Sequence, residues 1–346
     1  MDEKQLVKWL ISYQGRPLRL MEVCGTHTAA LYRTGLKQLL PESIQLLSGP
    51  GCPVCVTPSA YIDKLVQYAF AENTVVLTFG DMLHVPGSEL SLAKAKAQGG
   101  KVDFFYTPED ALKRAKAEPQ TLFVVAAVGF ETTAPVWATL LLQAVEENIT
   151  NVKFLTALKT MPNAISSLCE RGDIDGFLCP GHVAVVTGNN DFRVLAEKYH
   201  KTMVVGGFTA PQLLRALARL VLEAGQNKGG LWNEYPSVVA EEGNPVALAA
   251  VQKVFQAGDT VWRGLGLLQG SGLYIRLEYA QWDAGSYELT YDKLPPGCQC
   301  AKVLLGKVLP TECPCFGKAC TPEHPVGACM VSSEGTCCIT YREGDF

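Results

Sequence analysis

The chain has 346 residues, of which 48% are hydrophobic and 18% charged. That composition excludes a mostly disordered protein, and the length leaves room for about two domains or three smaller ones. Thirty basic against 34 acidic side chains give a formal charge of -4, without the basic excess that points to nucleic acid. The longest apolar stretch, TLFVVAAVGF, is about half a membrane span, and the N-terminal MDEKQLVKWL is charged and amphipathic, unlike a signal peptide. The expectation is a cytoplasmic protein with neither nucleic acid nor membrane as a partner.

From residue 17 to about 230 one plan repeats: a short apolar run, a Gly, Pro or polar residue, then a helical segment. The runs LRLMEV, IQLLS, NTVVLTF, VDFFY, TLFVVAAVGF, VKFLTAL, IDGFLCP and TMVVGGF are continuously apolar, as in parallel strands covered on both faces. THTAALYRTGLKQLL, SAYIDKLVQYAFA, SLAKAKAQ, PEDALKRAKA and APQLLRALARLVLEAG supply helices between them. The pattern predicts an α/β fold of two parallel-sheet domains, over 1–118 and 119–230, the boundary set at Pro119–Gln120. From 231 the character changes: a helix in NPVALAAVQKVFQA is followed by Gly- and aromatic-rich loops and short strands, then a Cys-rich end. A third, small domain over 231–346 accounts for it, its weak core compensated by a metal or cluster.

The chain has 13 cysteines, eight of them between Cys298 and Cys338. Without an export signal, such cysteines point to metal binding, a cluster or thiol chemistry before disulfides. In MEVCGTHT, Cys24 follows a strand and precedes a helix that Thr26 could cap; a helix N-terminus stabilises a thiolate. His27 could approach the same centre; otherwise Cys24 and His27 are a buried thiol and a first-turn side chain. In SGPGCPVCVTP, Cys52 and Cys55 form a C-x-x-C after a strand and before a helix. The placement resembles the thioredoxin-like arrangement and suits a redox pair, with an inert turn as the alternative.

Further polar groups stand at strand ends, where open α/β sheets place their sites: Asp81, His84, Glu131, Thr132, Thr133 and His182. Glu131 and Thr132 read equally as helix caps, and Cys179 as core. No phosphate loop or full dinucleotide fingerprint is present. In the tail, the spacing of Cys313, Cys320, Cys329 and Cys337 suits a zinc ion or a 4Fe-4S cluster, and Cys298, Cys300, Cys315 and Cys338 are spares.

Taken together, MEVCGTHT, LLSGPGCPVCVTP, TFGDMLHVPGS, VGFETTAP, CPGHVAVVTG, WRGLG and CTPEHPVGACMVSSEGTC closely resemble the hydrogenase maturation protein D family, HypD, from about residue 17 to the last Cys. The resemblance implies a scaffold for the Fe(CN)2CO unit of nickel–iron hydrogenases, built of two α/β domains and a C-terminal 4Fe-4S domain. It places the iron-binding cysteine at Cys24, the redox pair at Cys52 and Cys55, and the cluster ligands at Cys313, Cys320, Cys329 and Cys337. The implied partners are a small iron chaperone (maturation protein C) and the protein carrying a thiocyanate on its C-terminus (maturation protein E). The sequence departs from the family pattern at His84, where an Arg is expected, and at Thr209, where a Glu is usual. ALKTMPNA also lacks the usual His-Lys pairing, and Cys315 and Cys338 are additional.

On this reading Cys24 and the chaperone hold iron, His27 orients or protonates near it, and Cys52 and Cys55 supply two electrons for cleaving the thiocyanate. Two other classes compete: a general thiol–disulfide oxidoreductase acting on unrelated disulfides, and a metal-delivery scaffold whose cluster is only structural. Turnover as an enzyme is left open.

Overall fold

The computed structural model describes residues 2–344. The eight apolar runs are strands: β1 (Leu18–Glu22), β2 (Ile44–Ser48), β3 (Thr74–Thr78), β4 (Val102–Phe104), β5 (Leu122–Gly129), β6 (Val152–Lys159), β7 (Gly176–Pro180) and β8 (Thr202–Gly206). β9 (Gly230–Asn233), β10 (Phe255–Trp262) and β11 (Gly266–Ile275) follow. They make two sheets, ordered β2-β1-β7-β8-β9 and β10-β11-β6-β5-β3-β4. The first is parallel throughout. In the second, β4, β3, β5 and β6 are parallel, and β11 and β10 add an antiparallel edge. β7 and β8 bury every residue, which is why their sequence shows no alternation.

The fold class is as expected, but the division at 118/119 is corrected by the pairing. β3 lies beside β5, with Val76 opposite Val124, so the proposed boundary cuts through one sheet. The division at 230/231 fails likewise: Leu231 pairs with Met203, and Leu273 with Leu158. The chain leaves one sheet for the other after β2, after β6 and after β9. Parallel strands are joined by long crossovers, so local sequence marks each strand without naming its neighbour. The cysteine-rich end keeps a small cluster of its own, around Cys313, Phe316, Cys320, Met330 and Cys338. Met1, Asp345 and Phe346, at the limits of the expected domains, lie outside the described residues.

Two helices are shorter than their patterns. THTAALYRTGLKQLL is helical over Gly25–Arg33, and Gly35 takes a positive φ of 69° just beyond it. The helix Pro245–Val254 stops where Phe255 opens β10. Among the described residues no helix is long and apolar enough to cross a membrane.

One buried cluster fuses the two sheets. It takes Val124, Ala126 and Val128 from β5, Phe177 and Cys179 from β7, and Met203 and Val205 from β8, together with Cys52, Cys55, Cys300 and Cys329. The opposite faces pack on amphipathic helices: Phe123 and Val125 against Trp137 and Leu141, Leu20 and Val204 against Leu213 and Leu217. Each such side chain contributes about 1.5–3 kcal/mol by leaving water. The strands' carboxyl ends therefore sit on a rigid base.

Candidate functional site

β1 ends at Glu22, and Cys24 is the N-cap of the helix Gly25–Arg33. Glu22 is buried; its carboxylate accepts the Cys24 backbone N–H at 3.0 Å and the Thr28 hydroxyl. Two glycines let three segments close on this point. A Cβ on Gly51 would lie 2.3 Å from the Cys24 nitrogen, and one on Gly25 2.4 Å from the Glu334 carbonyl oxygen. Cys24 opens into a cleft of about 190 Å³ lined by Thr26, Thr132, Thr133, His182 and Glu334, with Phe130 and Met161 as apolar wall. Residues from both sheets and from the C-terminal segment thus meet at one thiol.

The electrostatics here differ from the sequence argument. Burial pushes the Cys24 thiol up to about 12; the N–H groups of His27 and Thr26 pull it down, while the Glu22 and Glu334 carboxylates push it further up. The helix terminus acts in the expected sense but is outweighed. Thr26 is not the cap; its hydroxyl reaches Glu334 Oε1 at 3.4 Å. His27 also departs from expectation. Its Nε2 lies 3.2 Å from the carbonyl oxygens of both Gly206 and Gly207, and Nδ1 is buried without a partner. Burial holds His27 down at about 4, so the ring is neutral and its bonds tie the Cys24 helix to β8. It bears on the cleft through Phe208, stacked 4.5 Å from His27 and 3.8 Å from His182.

Cys52 and Cys55 flank a single turn of helix, Pro53–Val56, and both are buried. The Cys55 N–H donates to Cys52 Sγ at 3.4 Å. Cys55 Sγ lies 3.8 Å from the Ala328 carbonyl, in the cysteine-rich segment. Burial pushes the Cys55 thiol up, but hydrogen bonds from Cys329 and Cys52 and the Arg263 charge more than offset this, leaving it near 5; Cys52 moves well up. Asp81, on the turn Gly80–His84 after β3, opposes Arg263 at Cys55. His84 at the end of that turn is exposed.

Glu131 caps a helix, though not the one it precedes: its Oε1 accepts the Met161 N–H at 2.7 Å, at the start of Met161–Glu170. Its Oε2 is buried without a partner, and burial raises the carboxyl to about 7. Cys179 is core in β7. Thr209 is the N-cap of the helix Ala210–Gly225, its N–H and that of Phe208 received by Gln212 Oε1 at 3.1 Å.

In the tail, Cys298, Cys300, Cys313, Cys315, Cys320, Cys329 and Cys337 line one small cavity, while Cys338 packs behind it in one cluster with Cys313, Cys320 and Met330. Within that set, Cys300 and Cys329 stand out, with Sγ atoms 2.9 Å apart. Cys329 sits at the centre of these thiols: its neighbours Cys300, Cys337 and Cys55, together with burial, hold its own thiol well above the usual range. No three His, Cys, Asp or Glu side chains among the described residues are grouped to hold a single ion. A 4Fe-4S cluster takes one thiolate per iron and needs no such convergence, and a sulfur-walled cavity matches its donor chemistry. Sequence reasoning missed Glu334, Arg263 and Phe208. Their one signal was membership of the SSEGTC, WRGLG and VGGFTAP segments.

Comparison with known proteins agrees with the motifs. The HypD family model, described as "Hydrogenase formation hypA family", matches residues 3–344. The chain is 41% identical over 336 residues to the hydrogenase maturation factor HypD of Escherichia coli K12, covering 94% of this chain and 89% of that protein. It is 39% identical over 339 residues to HypD of Rhodobacter capsulatus (95% and 90% covered), and 38% over 345 residues to HypD of Cupriavidus necator (96% and 91%). The chain belongs to the HypD family of hydrogenase maturation factors.

Proposed function

We propose that this protein is a cytoplasmic scaffold on which the Fe(CN)2CO unit of nickel–iron hydrogenases is assembled, with Cys52 and Cys55 as the reductant for cyanide delivery. The observation that carries this reading is the run of thiol contacts from Cys52 through Cys55 to Cys329 and Cys300, next to a separate cleft thiol at Cys24. Cys24 is the protein's thiolate ligand to the iron, which travels as cargo, and a small chaperone (maturation protein C) supplies another. An incoming cation offsets the burial that keeps Cys24 protonated, so metal binding releases its proton. Thr132, Thr133 and His182 offer polar groups around the iron's cyanide ligands.

Cyanide arrives as a thiocyanate on the flexible C-terminus of a partner (maturation protein E). Attack of one thiolate of the pair on the partner's sulfur breaks the S–CN bond, expels cyanide to the iron and forms a mixed disulfide. The second thiol then closes Cys52–Cys55 and frees the partner's cysteine as thiol: two electrons pass from the pair to the cleaved bond. Cys329, packed in the same buried cluster as Cys55, is placed to reopen that disulfide by exchange, with Cys300 as its resolving partner. We assign Cys313, Cys320 and Cys337 as cluster ligands, with Cys298 in place of Cys329, because Cys329 is engaged by Cys300 and Cys55. A 4Fe-4S cluster held there supplies single electrons. Cys52 is only 3% exposed and Cys55 1%, which suits a slender tail and disfavours a general oxidoreductase acting on folded disulfide proteins.

The test is infrared spectroscopy of the protein purified with its maturation partners. Cys24→Ala is expected to lose the cyanide and carbonyl bands while still binding the tail's iron and sulfide. Unchanged bands would overturn the assignment.

A further inference from the structure

Arg263 follows β10 and is completely buried. Its backbone N–H donates to the Val56 carbonyl at 2.8 Å, and its Nε to the Thr57 carbonyl at 2.6 Å. Nη2 donates to the Pro86 carbonyl at 2.7 Å, and Nη1 is buried without a partner. Every one of these acceptors is a neutral backbone oxygen. A guanidinium stays charged in any protein, so burying it against neutral partners carries a large desolvation cost. The cost is incurred beside the Cys52–Cys55 turn, whose final carbonyls Arg263 grips.

We propose that Arg263 is the positioning residue that sets the redox poise of the Cys52/Cys55 dithiol, favouring its reduced form by placing an unneutralised cation beside Cys55 and fixing the carbonyl end of the Pro53–Val56 turn. The inference rests on reading Cys52 and Cys55 as a redox pair. Oxidation of the dithiol to the disulfide gives up two electrons and two protons and leaves a pair that can carry no charge, whereas the reduced pair can hold a thiolate that the buried guanidinium favours. A cation there therefore makes the disulfide easier to reduce, the logic by which a stabilised reduced form makes a dithiol protein a strong oxidant. Asp81 acts on Cys55 with the opposite sign, so it tests the charge argument independently of packing.

The experiment is anaerobic equilibration of the full chain in glutathione buffers. Each glutathione disulfide accepts the pair's two electrons and two protons to give two glutathiones. Acid quench, alkylation and mass spectrometry of the peptide spanning Cys52 and Cys55 read the oxidised fraction. Arg263→Met is expected to move the equilibrium about tenfold toward disulfide, a midpoint lower by about 30 mV. Arg263→Lys is expected to move it less, and Asp81→Asn to move it the other way. Should the Met variant not fold, the opposite shifts of Arg263→Lys and Asp81→Asn decide. Variants that titrate with wild type, or an Asp81→Asn shift in the same direction as the Arg263 variants, overturn the role of Arg263 alone. A wild-type pair that stays dithiol at every glutathione ratio overturns the redox reading as well.

Discussion

Cys24 and Cys55 are both hidden from solvent, 8% and 1% exposed, yet their thiols are driven in opposite directions, to about 12 and about 5. Burial raises both. Around Cys24 two carboxylates, Glu22 and Glu334, add to it, and backbone N–H groups recover only part. Around Cys55 two thiols donate hydrogen bonds and Arg263 adds a positive charge. The contrast shows that an α/β fold can hold one buried thiol protonated and favour the thiolate of another by choosing what faces it. For the proposed function it would keep the two tasks apart, since a protonated cleft thiol is a poor nucleophile.

The most disruptive way to break this contrast is Gly51→Ala. Its Cβ would collide with the Cys24 backbone, so we expect destabilisation of about 1–3 kcal/mol in urea unfolding and loss of iron retention at Cys24. Next come the pH profiles of stability, compared as differences from wild type. Cys55 has its folded value below the unfolded value near 9, so its contribution is full above pH 9 and fades as pH falls toward 5. Cys55→Ser should flatten the rise in stability across that window. Cys24 has its folded value raised, so its contribution is full below pH 9 and fades as pH climbs toward 12; Cys24→Ser should blunt that alkaline loss. Equal slopes in both variants would dissolve the comparison. The smallest effect is expected from Glu131→Gln. The raised carboxyl contributes stability below about pH 4.5 that is lost toward pH 7, and the amide should remove that decline while keeping the bond from Met161.

Strands β1 to β8 were legible because buried parallel strands are written as unbroken apolar runs. Cys24, Cys52 and Cys55 were legible because glycine and proline frame them at strand ends. What escaped was everything that depends on pairing over long separations. Nothing local says that β3 adjoins β5, that Leu273 will sit opposite Leu158, or that Glu334 will close on Gly25. His27 shows the same limit: its neighbour in sequence is Cys24, whereas its ring reaches carbonyls at residues 206 and 207. In the tail, spacing cannot reveal that Cys329 lies against Cys300.

The interleaving of the two sheets has a consequence for the order of synthesis. When a ribosome has threaded the chain as far as β5, it has made two strands of the first sheet and three of the second, and completed neither. The first sheet waits for β9 and the second for β11, so both close within the last third of translation. Cys52, Cys55, Cys300 and Cys329, which share one buried cluster, are therefore released as separate, unshielded thiols and gathered late. Slow folding follows from such distant pairings, and fragments cut at any single point between β1 and β11 leave at least one sheet short of strands it cannot replace.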